Sequence, residues 1–391
     1  MTGAAANFEY ITDPHRFADL CASWRGLPAL GLDTEFIRTR TFYPKAGLLQ
    51  FGVATQCYLV DPLLIDDWAP CRRTLASTRV IMHAAGEDLG LLHHLLGEVP
   101  AALFDTQLAA AFLGEGFSLS YRDLVRRFCA VDLPKSETRS NWLKRPLSPR
   151  QLSYAAEDVR YLAALEEALA GRLEREGKLA WFEDDCRRLA AGAGENENPR
   201  NWPLAYRQVG GHEMLGERGL VLLRRLCQWR EREIRARDLP RNWLAGDRDL
   251  LGIASALENR AEIHAGDIAN AAGVNPKFAR RFSARLARML NEPEQEPSPP
   301  PQPRPPLSLA PRQRETLKRC RAAIQREAGR IGVCPELLAN KRQLQQIIIS
   351  HEKNGAIDWP TELRGWRQQV LAPVLNTALR EQGEQIRDTM P

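Results

Sequence analysis

Asp33 and Glu35 stand two residues apart in Leu30-Gly31-Leu32-Asp33-Thr34-Glu35-Phe36, an alternating run that reads as a β-strand. Side chains on a strand alternate faces, so the two carboxylates project from one side while Leu32, Thr34 and Phe36 take the other. Burying two carboxylates side by side is costly through desolvation and like-charge repulsion, and something positive must offset that cost. A divalent cation such as Mg²⁺ or Mn²⁺ takes carboxylate oxygens and keeps positions for water or a substrate phosphate. A solvated strand face would need no cation, so the rest of the chain decides between the two readings.

Further acids occur where such a site could use them. Asp88 opens a helix in His83-Ala84-Ala85-Gly86-Glu87-Asp88-Leu89. Acids in a first turn are also favoured by the helix macrodipole, and Glu87 beside Asp88 leaves open which of them faces inward. His83 reads as a packed strand-end residue, because Mg²⁺ prefers oxygen ligands. Asp105 reads as the N-cap of a helix over 107–113. Ser148, Pro149 and Gln151 mark a helix start as N-cap, N1 and N3. That helix runs through Tyr161 and beyond, with Leu152, Ala155, Ala156, Val159, Leu162 and Ala163 as its apolar stripe. Tyr154 and Asp158, four residues apart, fall together on another face, as an ordinary surface pair also would.

These residues need a scaffold. Strands at 48–53 and 57–60 follow the first one over short links, which predicts an antiparallel meander. Then come a helix at 68–75, a buried strand at 80–83, a helix from about Glu87 to Leu96 and a short strand at Leu103-Phe104. Meander followed by strand-helix alternation resembles the ribonuclease H-like fold, an α/β class with a mixed sheet flanked by helices. The text from Trp181 to Pro203 reads as polar loop and closes a first domain over 1–195. Two small all-α domains follow at 213–291 and 312–391, read as repeats, with a Pro-rich linker at 292–311 whose composition cannot form a packed core. In the first, Leu223, Leu226, Cys227 and Ile234 predict a buried stripe. Arg225, Arg232 and Arg235 share another face, as a phosphate-backbone footprint would.

Bulk properties set the bounds. A chain of 391 residues exceeds one ordinary core. The net charge of +5 permits nucleic-acid binding without demanding it. The cysteines form no Cys-x-x-Cys pair, which argues against a zinc site or disulfide framework. No apolar run approaches membrane-spanning length and the N-terminus shows no leader pattern, so a cytoplasmic chain without membrane association is expected. Nothing in the pattern calls for an obligate assembly, and a monomer is expected.

Taken together, Asp33-Thr34-Glu35-Phe36, His83 through Asp88 and Tyr154-Ala155-Ala156-Glu157-Asp158 resemble the three motifs of the DEDDy 3′ to 5′ exonucleases, most closely the ribonuclease D family. Arg38 through Pro44, Lys135-Ser136-Glu137, Trp142-Leu143 and Arg145-Pro146-Leu147 carry the same likeness, which spans about residues 8–180. The helical pieces resemble the helicase-and-ribonuclease-D C-terminal (HRDC) domains. The resemblance implies that Asp33, Glu35, Asp88 and Asp158 ligate two divalent cations, Mg²⁺ or Mn²⁺, while Tyr154 positions the attacking water. It implies hydrolysis of RNA from a free 3′ end with release of nucleoside 5′-monophosphates, on precursors of transfer RNA and other small structured RNAs. Lys135, Arg139 and Arg145 are candidate phosphate contacts. A single-stranded DNA exonuclease would use the same residues, and readout of the 2′-hydroxyl separates the two. A non-catalytic RNA-binding protein is expected to have lost a ligand, whereas this chain keeps all five residues.

Overall fold

The computed structural model describes residues 7–134, 140–271, 273–293 and 309–387. Its contacts divide the chain into two compact units. Met1–Ile37, Ala46–Ala193 and Leu307–Pro391 form the first, and Arg38–Lys45 with Gly194–Pro306 form the second.

The first unit is built on a six-stranded sheet in the order β1-β4-β3-β2-β5-β6. Its strands are β1 (Phe8–Ile11), β2 (Leu30–Ile37), β3 (Lys45–Val53), β4 (Gln56–Val60), β5 (Arg79–Met82) and β6 (Ala102–Asp105). β3 and β4 pair antiparallel, while β1 with β4, β2 with β5 and β5 with β6 pair parallel, which makes the sheet mixed. The strand β1 and the helix α1 (Pro14–Trp24) were not foreseen in the sequence. Alternation along β2 behaves as expected. Leu30 and Leu32 pack with Leu49, Phe51 and Val80 against α1, α2 (Ala69–Leu75) and α3 (Gly86–Leu96). The other face carries Gly31, Asp33 and Glu35 and meets α6 (Pro149–Arg160) and α7 (Leu162–Arg175), which follow α4 (Thr106–Phe112) and α5 (Tyr121–Cys129).

Two glycines let these helices lie close on the sheet. A Cβ on Gly52 would stand 2.6 Å from the Val159 carbonyl oxygen, and one on Gly31 would stand 3.2 Å from Leu162 Cδ1. The start of α6 is as read: Ser148 and Gln151 form a reciprocal capping box with Pro149 in the first turn. The helix does not run unbroken, however, because Tyr161 leaves helical geometry at φ −105° and α7 begins after it.

The stretch from Trp181, expected as loop, is largely helix α8 (Leu179–Glu195). Phe182, Asp185, Cys186 and Ala190 recur at helical spacing and are buried, a periodicity masked by the charged residues between them. The helices α14 (Pro311–Ile331), α15 (Lys341–Asn354) and α16 (Trp366–Arg387) belong to this same unit. Their Cys320, Ile324, Ile347 and Leu371 lie in one apolar core with Phe112, Leu169 and Phe182.

The second unit is helical: a 3₁₀ segment over Pro199–Gln208, then α9 (Glu217–Ala236), α10 (Arg241–Leu244), α11 (Asp247–Leu257), α12 (Ala265–Ala269) and α13 (Pro276–Asn291). Leu223, Leu226, Cys227 and Ile234 are buried in its core, as their spacing predicts. The arginine stripe is corrected. Arg225 caps carbonyls at the end of α13, among them Leu290 O at 2.9 Å, and Arg235 is buried in ion pairs with Glu197 and Glu231 at 3.0 and 2.7 Å. Only Arg232 of the three stays exposed. Residues 294–308 of the Pro-rich segment lie outside the described residues.

Candidate active site

Asp33 and Glu35 leave β2 on the face covered by α6, while Asp88 enters from the first turn of α3 and Tyr154 and Asp158 from α6. The four carboxyls sense one another. Burial holds Asp33 well above the usual carboxylate range, and the charges of Asp88, Asp158 and Glu35 push it further. Burial, with the charges of Asp158 and Asp88, raises Glu35 to about 8. Asp158 is raised to about 7 and Asp88 to about 6, in both cases chiefly by desolvation. Asp88, the acid that the family resemblance singles out, is buried, whereas Glu87 beside it is exposed.

Hydrogen bonds fix the acids individually. The Thr34 hydroxyl donates to Asp88 Oδ1, and the Tyr154 phenol bonds the Asp158 carboxylate four residues along the helix. The other oxygen of Asp158, Oδ2, is buried with no hydrogen-bond partner among the described residues. Among the described residues no three acidic, histidine or cysteine side chains close on a single point. Burial and the surrounding carboxylates raise the Tyr154 phenol far beyond neutrality, so it keeps its proton.

A supporting layer was visible in the sequence only in part, through Asp105 as a helix cap and His83 as a packed residue. Tyr121 donates its hydroxyl proton to Glu157 O at 3.0 Å and accepts from Tyr161 N at 3.1 Å, bracing the break between α6 and α7 close to Asp158. His83 is packed edge-on against Tyr121 and hydrogen-bonded to Thr106 Oγ1 at 2.9 Å, as a structural histidine. Asp105 caps α4 through Gln107 N and Leu108 N, and it also accepts from Ala84 N and Ala85 N. One carboxylate thereby holds the turn that delivers Asp88. These roles depend on contacts between residues far apart in the chain, which spacing alone does not encode.

Of the candidate phosphate contacts, Lys135 and Arg139 lie outside the described residues. Arg145 is committed internally, with Asp61 at 2.6 Å and the carbonyls of Trp142 and Gly47 at 2.7 and 2.8 Å.

The chain has known counterparts. The 3′-5′ exonuclease family model matches residues 8–174, and the model of the ribonuclease D C-terminal HRDC domain matches residues 311–375. Ribonuclease D of Pseudomonas paraeruginosa is 40% identical over 97% of this chain and 99% of its own length. The chain belongs to the ribonuclease D family. Ribonuclease D of Escherichia coli is 33% identical over 96% of this chain and 99% of its own. Its crystal structure, described as that of an exoribonuclease involved in structured RNA processing, matches with a TM-score of 0.81 over the same shares. As a ribonuclease D family member with the exonuclease fold intact, the chain is a hydrolytic 3′ to 5′ exoribonuclease.

Proposed function

We propose that Asp33, Glu35, Asp88 and Asp158 hold two divalent cations, Mg²⁺ or Mn²⁺, and that Tyr154 orients the water that attacks the last phosphodiester of an RNA with a free 3′ end. The observation that carries this is the buried, unpartnered Oδ2 of Asp158 beside acids whose charges all raise Asp33. An all-carboxylate set of hard oxygens fits such cations better than softer metals. Two cations of this kind, when bound, supply a water that ionises near neutral pH and compensate charge on the attacking and leaving oxygens.

The side chains contribute the rest. Tyr154 retains its proton and is a poor base, so it acts through its hydroxyl as an orienting group. Asp158 offers an oxygen that has no hydrogen-bond partner among the described residues, and the Thr34 hydroxyl holds Asp88, whose charge reaches Asp33 and Glu35. Each cycle releases one nucleoside 5′-monophosphate. Precursors of transfer RNA and other small structured RNAs are the proposed substrates, a reading supported by the description of the E. coli relative. The proposed setting is a cytoplasmic monomer; among the described residues no helix is long and apolar enough to cross a membrane.

A 5′-labelled, 3′-tailed transfer-RNA precursor and a matched single-stranded DNA, incubated with Mg²⁺, Mn²⁺ or EDTA, test the proposal. Stepwise shortening of the RNA with metal, abolished by EDTA and by Asp33→Asn, is the expected result. Cleavage that persists in EDTA would overturn the metal assignment, and equal shortening of the DNA would overturn the RNA preference.

A further inference from the structure

The Arg38–Lys45 connection between β2 and β3 is part of the second, helical unit. Asp238 Oδ1 accepts from Phe42 N and Tyr43 N at 2.9 and 3.0 Å. The Phe42 ring, 8% exposed, lies 4.4 Å from the Arg235 guanidinium, and the Tyr43 hydroxyl meets Glu197 Oε2 at 3.0 Å. Arg235 is itself bound to Glu197, Glu231 and Asn196 O. The turn is also closed on itself, by Arg38 Nε to Phe42 O at 3.1 Å and Thr41 Oγ1 to Tyr43 O at 2.6 Å. Asp238 holds φ +48°, a left-handed conformation that among non-glycine residues asparagine and aspartate adopt most readily.

This much fixation serves a segment whose leading residues, Arg38, Thr39 and Arg40, are exposed. Arg40 has no acidic partner among the described residues. It follows Glu35 by five residues, so the chain limits their Cα separation to about 18 Å at full extension. A strand whose 3′ end lies at Glu35 has phosphates within that reach, and a turn already rigid loses little entropy on binding them.

We propose that the Arg38-Thr39-Arg40 turn is a contact site for the RNA phosphate backbone, held in shape from behind by Asp238. The proposal rests on the exoribonuclease reading and extends it to residues outside the acidic cluster. It also assigns the helical unit a defined role, the presentation of this turn.

The test is binding of a labelled single-stranded RNA to the full chain in a D33N background, followed across KCl concentrations. R40A is expected to weaken binding several-fold and to make the slope of log affinity against log salt shallower by about 0.7, one contact on a single strand. D238G, which suits the left-handed backbone but cannot accept the two amides, is expected to weaken binding similarly. D238N is expected to bind as the parent does, because its amide oxygen accepts the same bonds and asparagine tolerates positive φ. An unchanged affinity and slope in R40A overturns the phosphate contact, and parental binding by D238G overturns the anchor. A D33N parent that binds no RNA overturns both this proposal and the reading beneath it, whereas a parent that binds RNA with R40A unchanged overturns this proposal alone.

Discussion

Glu35 raised to about 8, Asp158 to about 7 and Asp88 to about 6 make the acidic cluster a load on the metal-free fold. The native state binds more protons than the unfolded chain between the ordinary carboxylate range and these values, so their contribution to stability falls as pH rises through that window. In EDTA the melting temperature is therefore expected to be lower at pH 8.5 than at pH 5.5 because of this cluster, and Mn²⁺ is expected to raise it most at the higher pH. Differential scanning fluorimetry at both pH values, with and without metal, reads this directly. Asp158→Asn removes one of the charges, so it should raise the EDTA melting temperature at pH 8.5. The same variant should lose at least about 10²-fold in turnover, the scale of deleting one preorganised electrostatic partner. Activity should rise with pH over the same window, because protons then compete less for the carboxylates. The period-two placement of Asp33 and Glu35 was legible in the sequence, since it needs only strand alternation. The preference for Asp88 over Glu87 came from the family resemblance and not from spacing, because it depends on how α3 is rolled against β2.

Elements supply the precision that the acids cannot supply for themselves. The caps on α6 and α4 were readable because Ser148, Gln151 and Asp105 act on backbone within three residues of themselves. Helix α8 was missed because its apolar stripe is thin, and the break at Tyr161 was missed because its brace, Tyr121, comes from 40 residues away. Tyr121→Phe removes the hydrogen bonds to the Glu157 carbonyl and from the Tyr161 amide, both part-buried, at about 0.5–1.5 kcal/mol each. Turnover is expected to fall with little change in the RNA KM, since Asp158 is displaced and no substrate contact is removed; steady-state kinetics and thermal melts check this together. Gly52 tests the other support of α6. A methyl there meets backbone, the Val159 carbonyl oxygen at 2.6 Å, so Gly52→Ala must shift the helix or the strand. It should lower stability and activity together, whereas an alanine at Gly192, where nothing lies within 4 Å, should change neither.

The first unit holds chain segments far apart in sequence in one core, and that arrangement explains a buried charge. Asp185 on α8 is 7% exposed, with Arg367 Nη1 at 2.7 Å and the Trp366 indole N–H at 3.1 Å, both from α16. Trp366 stacks on Trp181 at 4.9 Å and 11°, and Lys178 Nζ reaches Gly332 O at 2.6 Å. The Cys334 amide donates to Ala111 O at 2.9 Å. Composition marked α14 to α16 as helical, but charge and apolar pattern do not say which surface an apolar face will cover, so their place in this core was not legible. Removing one partner of a buried ion pair strands the other without water, typically at a cost of about 3–5 kcal/mol. Arg367→Ala should therefore lower the melting temperature on the order of 10 °C. Because Phe112, Phe182 and the apolar residues of α14 and α16 are continuous, nuclease activity and the helical signal should be lost in one transition on heating this variant. Circular dichroism and residual RNA cleavage after heat steps follow the two signals. Loss of helix while cleavage survives would show α14 to α16 to be an appendage. Coincident loss, with partial recovery of stability in an Asp185→Leu/Arg367→Met double variant that replaces the pair by apolar contact, would show them to be part of the nuclease core.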